Sequence, residues 1–438
     1  MLLLPHPVRR AVLAALAVTV AACGPRPGDA AEARVSQRVL DACPHDDQSI
    51  TLPPGFCAQI FADHVGGSRH IAVAPNGDVF VRLVGSRSDT YRGIVALRDV
   101  NHDGVADTST TFGEVGGTGI ALYHGFLYSD DRTRIGRWPL AAGSLLPSGP
   151  EQVVVAGLPT QGHEARNFAI DSSGALFVNV GSLTNACQVQ DRQTESPGHD
   201  PCAELATRAG IWKFDANGSD QTPATGVHYA TGLRNAMGLA VDPRTGGLYA
   251  TQHGRDQLFQ TWPKLFDARY GADNPAEEMV RVTEHADFGW PYCYFSMTAK
   301  HLVLAPEYGG NGTATGRCAT KTEPIAWFPG HWAPMSLLFY SGTAFPAKYR
   351  GGAFIAFHGS WNRAPEPQAG YRVVFVPMRD GKPSGPYETF ADGFAGGELS
   401  PGAAAHRPVG LALGPDGALY VTDDRRGRIW KIRWVGEE

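Results

Sequence analysis

The sequence predicts an all-β fold, a six-bladed β-propeller with two long disulfide-pinned insertions. Four observations carry that prediction. A unit of short apolar strand, Gly-containing turn and second β-rich strand returns at His70–Arg82, Asn167–Gly181, Gly238–Gln252 and Val409–Asp423, with looser copies at Ile120–Asp131 and Ser336–His358. These units are followed by further strand-like segments such as IVALRDV, IGRWPL, GIWKF and RIWKI. The chain also holds 53 Gly and 32 Pro in 438 residues with only 18% charged side chains, a turn-rich composition without helical periodicity. Finally, 43% of its residues are hydrophobic, enough for a large core and too many for a disordered chain. Repeated hairpins of this kind close radially into a propeller, which leaves few strand edges unprotected. A β-sandwich could use the same strands, but the even spacing of the hairpins favours the propeller.

The formal net charge is −5, from 38 basic and 43 acidic side chains, and no basic stripe suits a nucleic-acid partner. Residues 1–22 read as an export signal: Arg9 and Arg10 precede an apolar run, Ala11 to Ala22, too short to span a bilayer. The run ends in Val20-Ala21-Ala22-Cys23-Gly24, which resembles the bacterial lipobox and predicts a periplasmic or cell-envelope lipoprotein anchored at Cys23. Membrane contact is then through the lipid alone. The alternative is ordinary cleavage with Cys23 incidental. Residues 23–48 are rich in Ala, Arg, Pro and Asp and read as a tether, leaving 49–438 as the folded body.

Without Cys23, six cysteines remain, an even number that suggests disulfides in an exported chain. The sequence-local pairing is Cys43–Cys57, Cys187–Cys202 and Cys293–Cys318, with other pairings of the six open. No Cys-x-x-Cys-His or paired Cys-x-x-Cys occurs, which argues against c-type haem and a thiolate zinc site. The strand Phe56 to Phe61 is placed to pair with the last blade and close the ring. The stretches Ser182–Leu233 and Arg255–Pro334 are read as the insertions, which build the walls of a functional face.

Asp99, Asn101, Asp103 and Asp107 place oxygen ligands at positions one, three, five and nine of a loop, with Gly104 at six and the Val105 carbonyl at seven. This matches a calcium loop, although Thr110 at position twelve excludes an EF-hand. Thr251–Asp256 is a weaker candidate, a polar turn whose carbonyls could face a hard cation.

Propellers bind ligands at the mouth of the central channel, where the inner strands begin. The residues just before those strands are Ser68-Arg69-His70, Gly162 to Asn167, Leu233-Arg234-Asn235, Gly330-His331-Trp332 and His406-Arg407-Pro408. Arginines converging on one channel predict an anion with several carboxylates or phosphates, against the alternative that the loops splay them apart. His163 shares this face, and neighbouring cations would keep its imidazole neutral, as a general base requires.

Four segments then fix a resemblance: Gly232–Leu258 (GLRNAMGLAVDPRTGGLYATQHGRDQL), Asp287–Phe295 (DFGWPYCYF), Phe354–Asn362 (FIAFHGSWN) and Arg407–Asp424. They are similar to the sorbosone dehydrogenase family, related to the soluble PQQ-dependent glucose dehydrogenase and the aldose sugar dehydrogenases. The similarity runs from about Leu52 to Trp434. It implies a six-bladed propeller holding pyrroloquinoline quinone (PQQ), a tricarboxylate, with calcium. It also implies oxidation of a sugar-type alcohol or hydrated aldehyde by hydride transfer to the quinone, with electrons leaving to a separate acceptor. By the resemblance His163 is the base, Arg234 and Asn235 flank the quinone oxygens, and Arg234 stabilises the reduced cofactor. Arg407 and Arg69 bind PQQ carboxylates, and the carbonyls of His253 and Gly254 hold the cofactor calcium. The chain departs from the pattern at three places. Gly162 replaces the acidic residue before the base, and His253-Gly254 replaces Gly-Pro. Ser360-Trp361-Asn362-Arg363 stands where a lysine is expected, with Arg363 as its substitute. These departures argue against glucose as the substrate.

The alternative function is a lipid-anchored propeller that binds a carbohydrate or protein without redox activity. A calcium-dependent hydrolase such as a lactonase ranks last, because the mouth offers Arg and His rather than carboxylates and Asn.

Overall fold

A computed structural model describes residues 43–84 and 93–436. The hairpins of the sequence become the inner two strands of four-stranded antiparallel sheets, six in all. Blade I starts at Ser68–Val73, blade II at Ile120–Tyr123 and blade III at Phe168–Ile170. Blades IV, V and VI start at Gly238–Val241, Pro334–Phe339 and Pro408–Leu413. Each inner strand packs against the inner strands of the blades on both sides, so the ring is closed. The described residues thus form a six-bladed β-propeller.

Closure uses the predicted strand. Phe56–Ala62 pairs antiparallel with Ile429–Trp434, from Phe56 opposite Trp434 to Ile60 opposite Trp430, and becomes the outer strand of blade VI. Phe56 then packs edge-on to Phe345, Tyr349 and Phe390 of blade V, which anchors the closing strand in an aromatic core. Between the other blades the facing strands bury their aliphatic sides, as where Phe177 of blade III meets Leu239, Ala250 and Val280 of blade IV.

The three disulfides are Cys43–Cys57, Cys187–Cys202 and Cys293–Cys318, the sequence-local set. Two boundaries differ from expectation. Cys43 to Gln48, read as the end of the tether, belongs to the body: Cys43 is bonded to Cys57, and Asp47 accepts from both Arg428 and Trp430 at 2.9 Å. The insertions are also narrower. Gly210–Asp215 and Val227–Thr231 complete blade III, and Glu277–Val282 and Ala326–Phe328 complete blade IV. The true excursions are 181–209, 253–276 and 283–325. Gly210–Asp215 contains the strand-like GIWKF; the other three strands lack a hairpin partner nearby in sequence, which hid them. The signal segment, Cys23 and the tether up to residue 42 lie outside the described residues. Among the described residues no helix is long and apolar enough to cross a membrane.

Candidate active site

In each antiparallel blade the inner strand leaves the channel mouth and the second strand returns to it. Residues before an inner strand therefore meet residues after a second strand. His163, Arg234 and Arg407 come from the first kind of loop; His253, Asp256, His358 and Asp424 come from the second.

On the blade III–IV side, His163 Nδ1 lies 2.9 Å from the Ser182 carbonyl and 3.0 Å from its Oγ. A carbonyl only accepts, so Nδ1 carries the proton and Nε2 presents a lone pair. Burial, then the charge of Arg234, pushes the imidazole down to about 3, so it is neutral around pH 7. Ser182 thus supplies the orientation that the missing acid at Gly162 left open. The close approach needs glycine at 181, where a Cβ would stand 2.6 Å from the His163 Cβ. Arg166, which also precedes an inner strand, does not face the channel: it is buried, donating to the carbonyls of Arg132, Pro159 and His163 and bracing the His163 loop.

Arg234 is buried. Its Nη2 donates to Asp256 Oδ2 at 2.8 Å and to Asn185 Oδ1 at 3.0 Å, and its Nη1 to the Gly254 carbonyl at 2.9 Å. Asp256 also accepts from Arg192 at 2.9 Å and from Asn362 at 2.7 Å. Burial alone would raise this carboxyl, but Arg234, His331 and Arg192 hold it well below the usual carboxylate range. Asn235 turns its Oδ1 towards Asn179 Nδ2, 3.3 Å away. His253 donates Nε2–H to the Pro334 carbonyl at 2.9 Å, and burial with Arg234 pushes it down to about 4. Beneath it Glu277 accepts from the Gly254 and Ala333 amides at 3.0 and 3.1 Å, yet burial pushes it up to about 8, leaving it protonated at neutral pH.

On the blade VI–I side, Arg407 donates to the carbonyls of His358 and Gly359 at 3.2 and 2.5 Å. Asp424 Oδ1 accepts from His358 Nε2 at 2.8 Å, and its Oδ2 lies 3.4 Å from Arg69 Nη1. Burial is again outweighed there by His358, Arg69 and Arg407, and the carboxyl stays ionised. The two sides form one electrostatic unit, since His253 responds to Arg234 and to His358 alike. Below, the channel is sealed: His70 Nε2 donates to the Met335 carbonyl at 2.8 Å and Asn167 Nδ2 to that of Met237 at 2.6 Å, over a plug of Met237, Met335 and Val409.

Arg69, Arg192, Arg234 and Arg407 face Asp256 and Asp424, with Asp191 3.8 Å from Arg192 and Asp423, shared with His406, near Arg407, while Glu277 is neutral. The arginines are brought together and partly paired, with cationic charge left over. Arg69 Nε is buried with no partner, as is Asn362 Oδ1. An unpaired buried guanidinium nitrogen beside surplus positive charge suits a polycarboxylate. The mouth therefore fits PQQ.

Other expectations change. Arg363 is turned away from the mouth: it donates to the carbonyls of Ala272, Gly330 and Pro367 and to Asp273, which pins the short helix Ala268–Asp273. It is a brace and no substitute for the lysine. At the turn expected to hold the cofactor calcium, the Gly254 oxygen already accepts from Arg234. Asp99 to Asp107 form the loop between the third and fourth strands of blade I, on the face away from the mouth. Among the described residues, the groups of three His, Cys, Asp or Glu ligands within 4.8 Å are Cys43, Asp46, Cys57 and Cys187, Cys202, Glu204, each containing a disulfide. The carboxylates of 99–107 form a wider set.

The sequence reading did not single out Asp256, Glu277, His358, Asp424, Arg192 or Asn362. The pairing of strand starts with strand ends would have pointed to His358 and Asp424, which directly follow second strands.

The TrAA12-like family profile matches residues 50–435. A curated protein of Borreliella burgdorferi is 28% identical over 67% of this chain and 64% of its own length. The pyrroloquinoline quinone-dependent pyranose dehydrogenase of Coprinopsis cinerea is 26% identical over 64% of this chain and 41% of its own length, so the matches span only part of these relatives. The solved holo form of the PQQ domain of pyranose dehydrogenase from Coprinopsis cinerea superposes with a TM-score of 0.71 at 21% identity, covering 89% of this chain and 98% of that one.

Proposed function

This chain belongs to the TrAA12-like family, and on that premise we propose that it is a PQQ-dependent oxidoreductase acting on a sugar-type alcohol or hydrated aldehyde. The observation that carries the reading is the surplus of arginine charge around His163, with Arg69 Nε buried and unpartnered. Bound PQQ would supply a two-electron acceptor. Arg69 and Arg407 would bind its carboxylates, and Arg234 would lie against its electron-rich side. His163 would take the substrate hydroxyl proton at Nε2, while the Ser182 carbonyl holds its ring in the one tautomer that leaves Nε2 basic. The sealed floor and the excursions from blades III and IV would keep bulk water from the reacting atoms.

Calcium belongs to the same proposal at the His253 and Gly254 carbonyls, but not as these residues stand. A guanidinium 2.9 Å from the Gly254 oxygen repels a cation, so Arg234 would have to release that oxygen when calcium and cofactor enter. The sorbosone dehydrogenase-like subtype, the separate electron acceptor and anchoring through Cys23 are parts of the proposal that rest on the sequence.

Titration of apo-protein with PQQ, with and without calcium, followed by reduction of an acceptor dye with pyranoses and aldehydes, tests the reading. His163→Ala is expected to keep PQQ binding and lose turnover by about 100-fold or more. Absence of PQQ binding together with saturable carbohydrate binding would replace the enzyme with a binding propeller.

A further inference from the structure

On the far face, four backbone amides of the blade I loop donate to side chains of the loop itself. Asp99 Oδ2 accepts from Gly104 N at 2.8 Å, Asn101 Oδ1 from Asp103 N at 3.0 Å, Asp103 Oδ1 from Val105 N at 2.8 Å, and Asp107 Oδ2 from Val100 N at 2.7 Å. Each carboxylate thus spends one oxygen on the fold and keeps the other. Of those left over, Asp99 Oδ1 is buried with no partner. Asp103 Oδ2 and Asp107 Oδ1 share a single amide donor, Asn101 Nδ2, at 3.1 and 3.3 Å.

A second, separate residue leaves an unpartnered acceptor against the same loop. Gln59 lies in the ring-closing strand and is fully buried. Its Nε2 donates to the Asp103 carbonyl at 2.7 Å, while its Oε1 is without a partner. That oxygen sits against Gly104, 2.3 Å from where a Cβ would be, so position 104 admits only glycine (φ +91°). Buried acceptors without donors cost about 1–3 kcal/mol each, and they gather here on a loop with three carboxylates.

We infer that the 99–107 loop is a calcium site coupled to closure of the propeller ring. Asp99 Oδ1, Asp103 Oδ2, Asp107 Oδ1 and the Val105 carbonyl are the ligands, joined by Asn101 Oδ1 once its amide turns over. An all-oxygen set that mixes carboxylates with a carbonyl on a flexible loop selects calcium over magnesium, which demands stricter octahedral geometry. Binding draws the spread carboxylates inward. Because Gln59 holds the Asp103 carbonyl and Ala106 N donates to the Phe61 carbonyl at 2.8 Å, that contraction is passed to the strand that closes the ring. Calcium here acts on the stability of the whole propeller and is independent of the cofactor.

The test uses the intact chain, stripped with chelator and free of PQQ. Terbium alone is the probe, because Tyr420 lines the same hollow as Asp99 and can sensitise its emission. Saturable emission displaced by calcium is expected, with the melting temperature rising by a few degrees in calcium. Asp99→Asn and Asn101→Ala should each abolish both effects, the second without touching the closing strand. Terbium curves of Asn101→Ala that overlay the parent would overturn the site. A full calcium shift in Gln59→Leu would overturn the coupling to ring closure.

Discussion

Asp256, on the blade IV side of the mouth, and Asp424, on the blade VI side, are both mostly buried carboxylates held ionised by cations, and they are assembled differently. Asp256 draws Arg192 from one excursion, Arg234 from a loop before an inner strand and Asn362 from blade V. Its surroundings therefore depend on segments outside the repeat. Asp424 takes Arg69, His358 and the field of Arg407 from loops that every blade of a propeller possesses. The anion-binding half of the mouth is intrinsic to the repeated architecture. The half that carries His163 is added to it, and it stands or falls with the excursions.

The largest expected difference is in stability. Arg234→Met removes the innermost partner of Asp256 and should cost about 3–5 kcal/mol, as breaking a buried pair does. Arg69→Met breaks a longer contact, at 3.4 Å with the arginine side chain 22% exposed, and should cost at most about 1 kcal/mol. Denaturant unfolding of the two apo-proteins measures both. Equal losses would mean that the two carboxylates are held alike after all.

The disulfides sharpen the same contrast. Cys187–Cys202 closes a stretch that supplies Arg192, and its Cys187 amide donates to Thr184 Oγ1 at 2.9 Å, whose carbonyl accepts from Ser182 Oγ beneath His163 at 2.7 Å. Cys43–Cys57 ties down the closing strand, far along the chain from either group. Replacing either pair with serine should lower stability by about 2–3 kcal/mol. Only loss of Cys187–Cys202 should also lower turnover at saturating PQQ. If loss of Cys43–Cys57 lowers turnover as much, the base-bearing side has no special dependence on its excursion.

The same division governs what could be read from sequence. The six hairpins, the closing strand and the three disulfides were legible because each joins residues close in sequence or repeated at intervals. Arg69, Arg234, Arg407 and His163 were legible for the same reason, since each precedes an inner strand. Arg192 and Asn362 were not, because no period fixes where an irregular loop points. Arg363 shows the converse: its position suggested the quinone, but the helix Ala268–Asp273, supplied by an excursion, offered carbonyls and Asp273 to its guanidinium. Glu277 escaped notice because in the sequence it is one of two adjacent acids in a strand, and only burial gives it its character.

Titration gives the His163 side of the mouth limbs of opposite sign. Glu277 has a folded value raised to about 8 from 4.5, so the stability it permits is complete below pH 4.5 and declines as pH rises towards 8. Glu277→Gln should reduce that decline, leaving the part due to the neighbouring Glu278, which burial raises to about 7, and should leave the acidic range unchanged. His163 has a folded value lowered to about 3 from 6.5, so its contribution is complete above pH 6.5 and is lost as pH falls towards 3. Turnover should therefore show no acidic limb between pH 7 and pH 5, because the imidazole is already neutral throughout. On the opposite side no carboxyl rises into this range, since Asp424 stays ionised. If Glu277→Gln leaves the alkaline decline in place, the titrating group is not the acid beneath His253, and the electrostatic distinction between the two halves of the mouth fails with it.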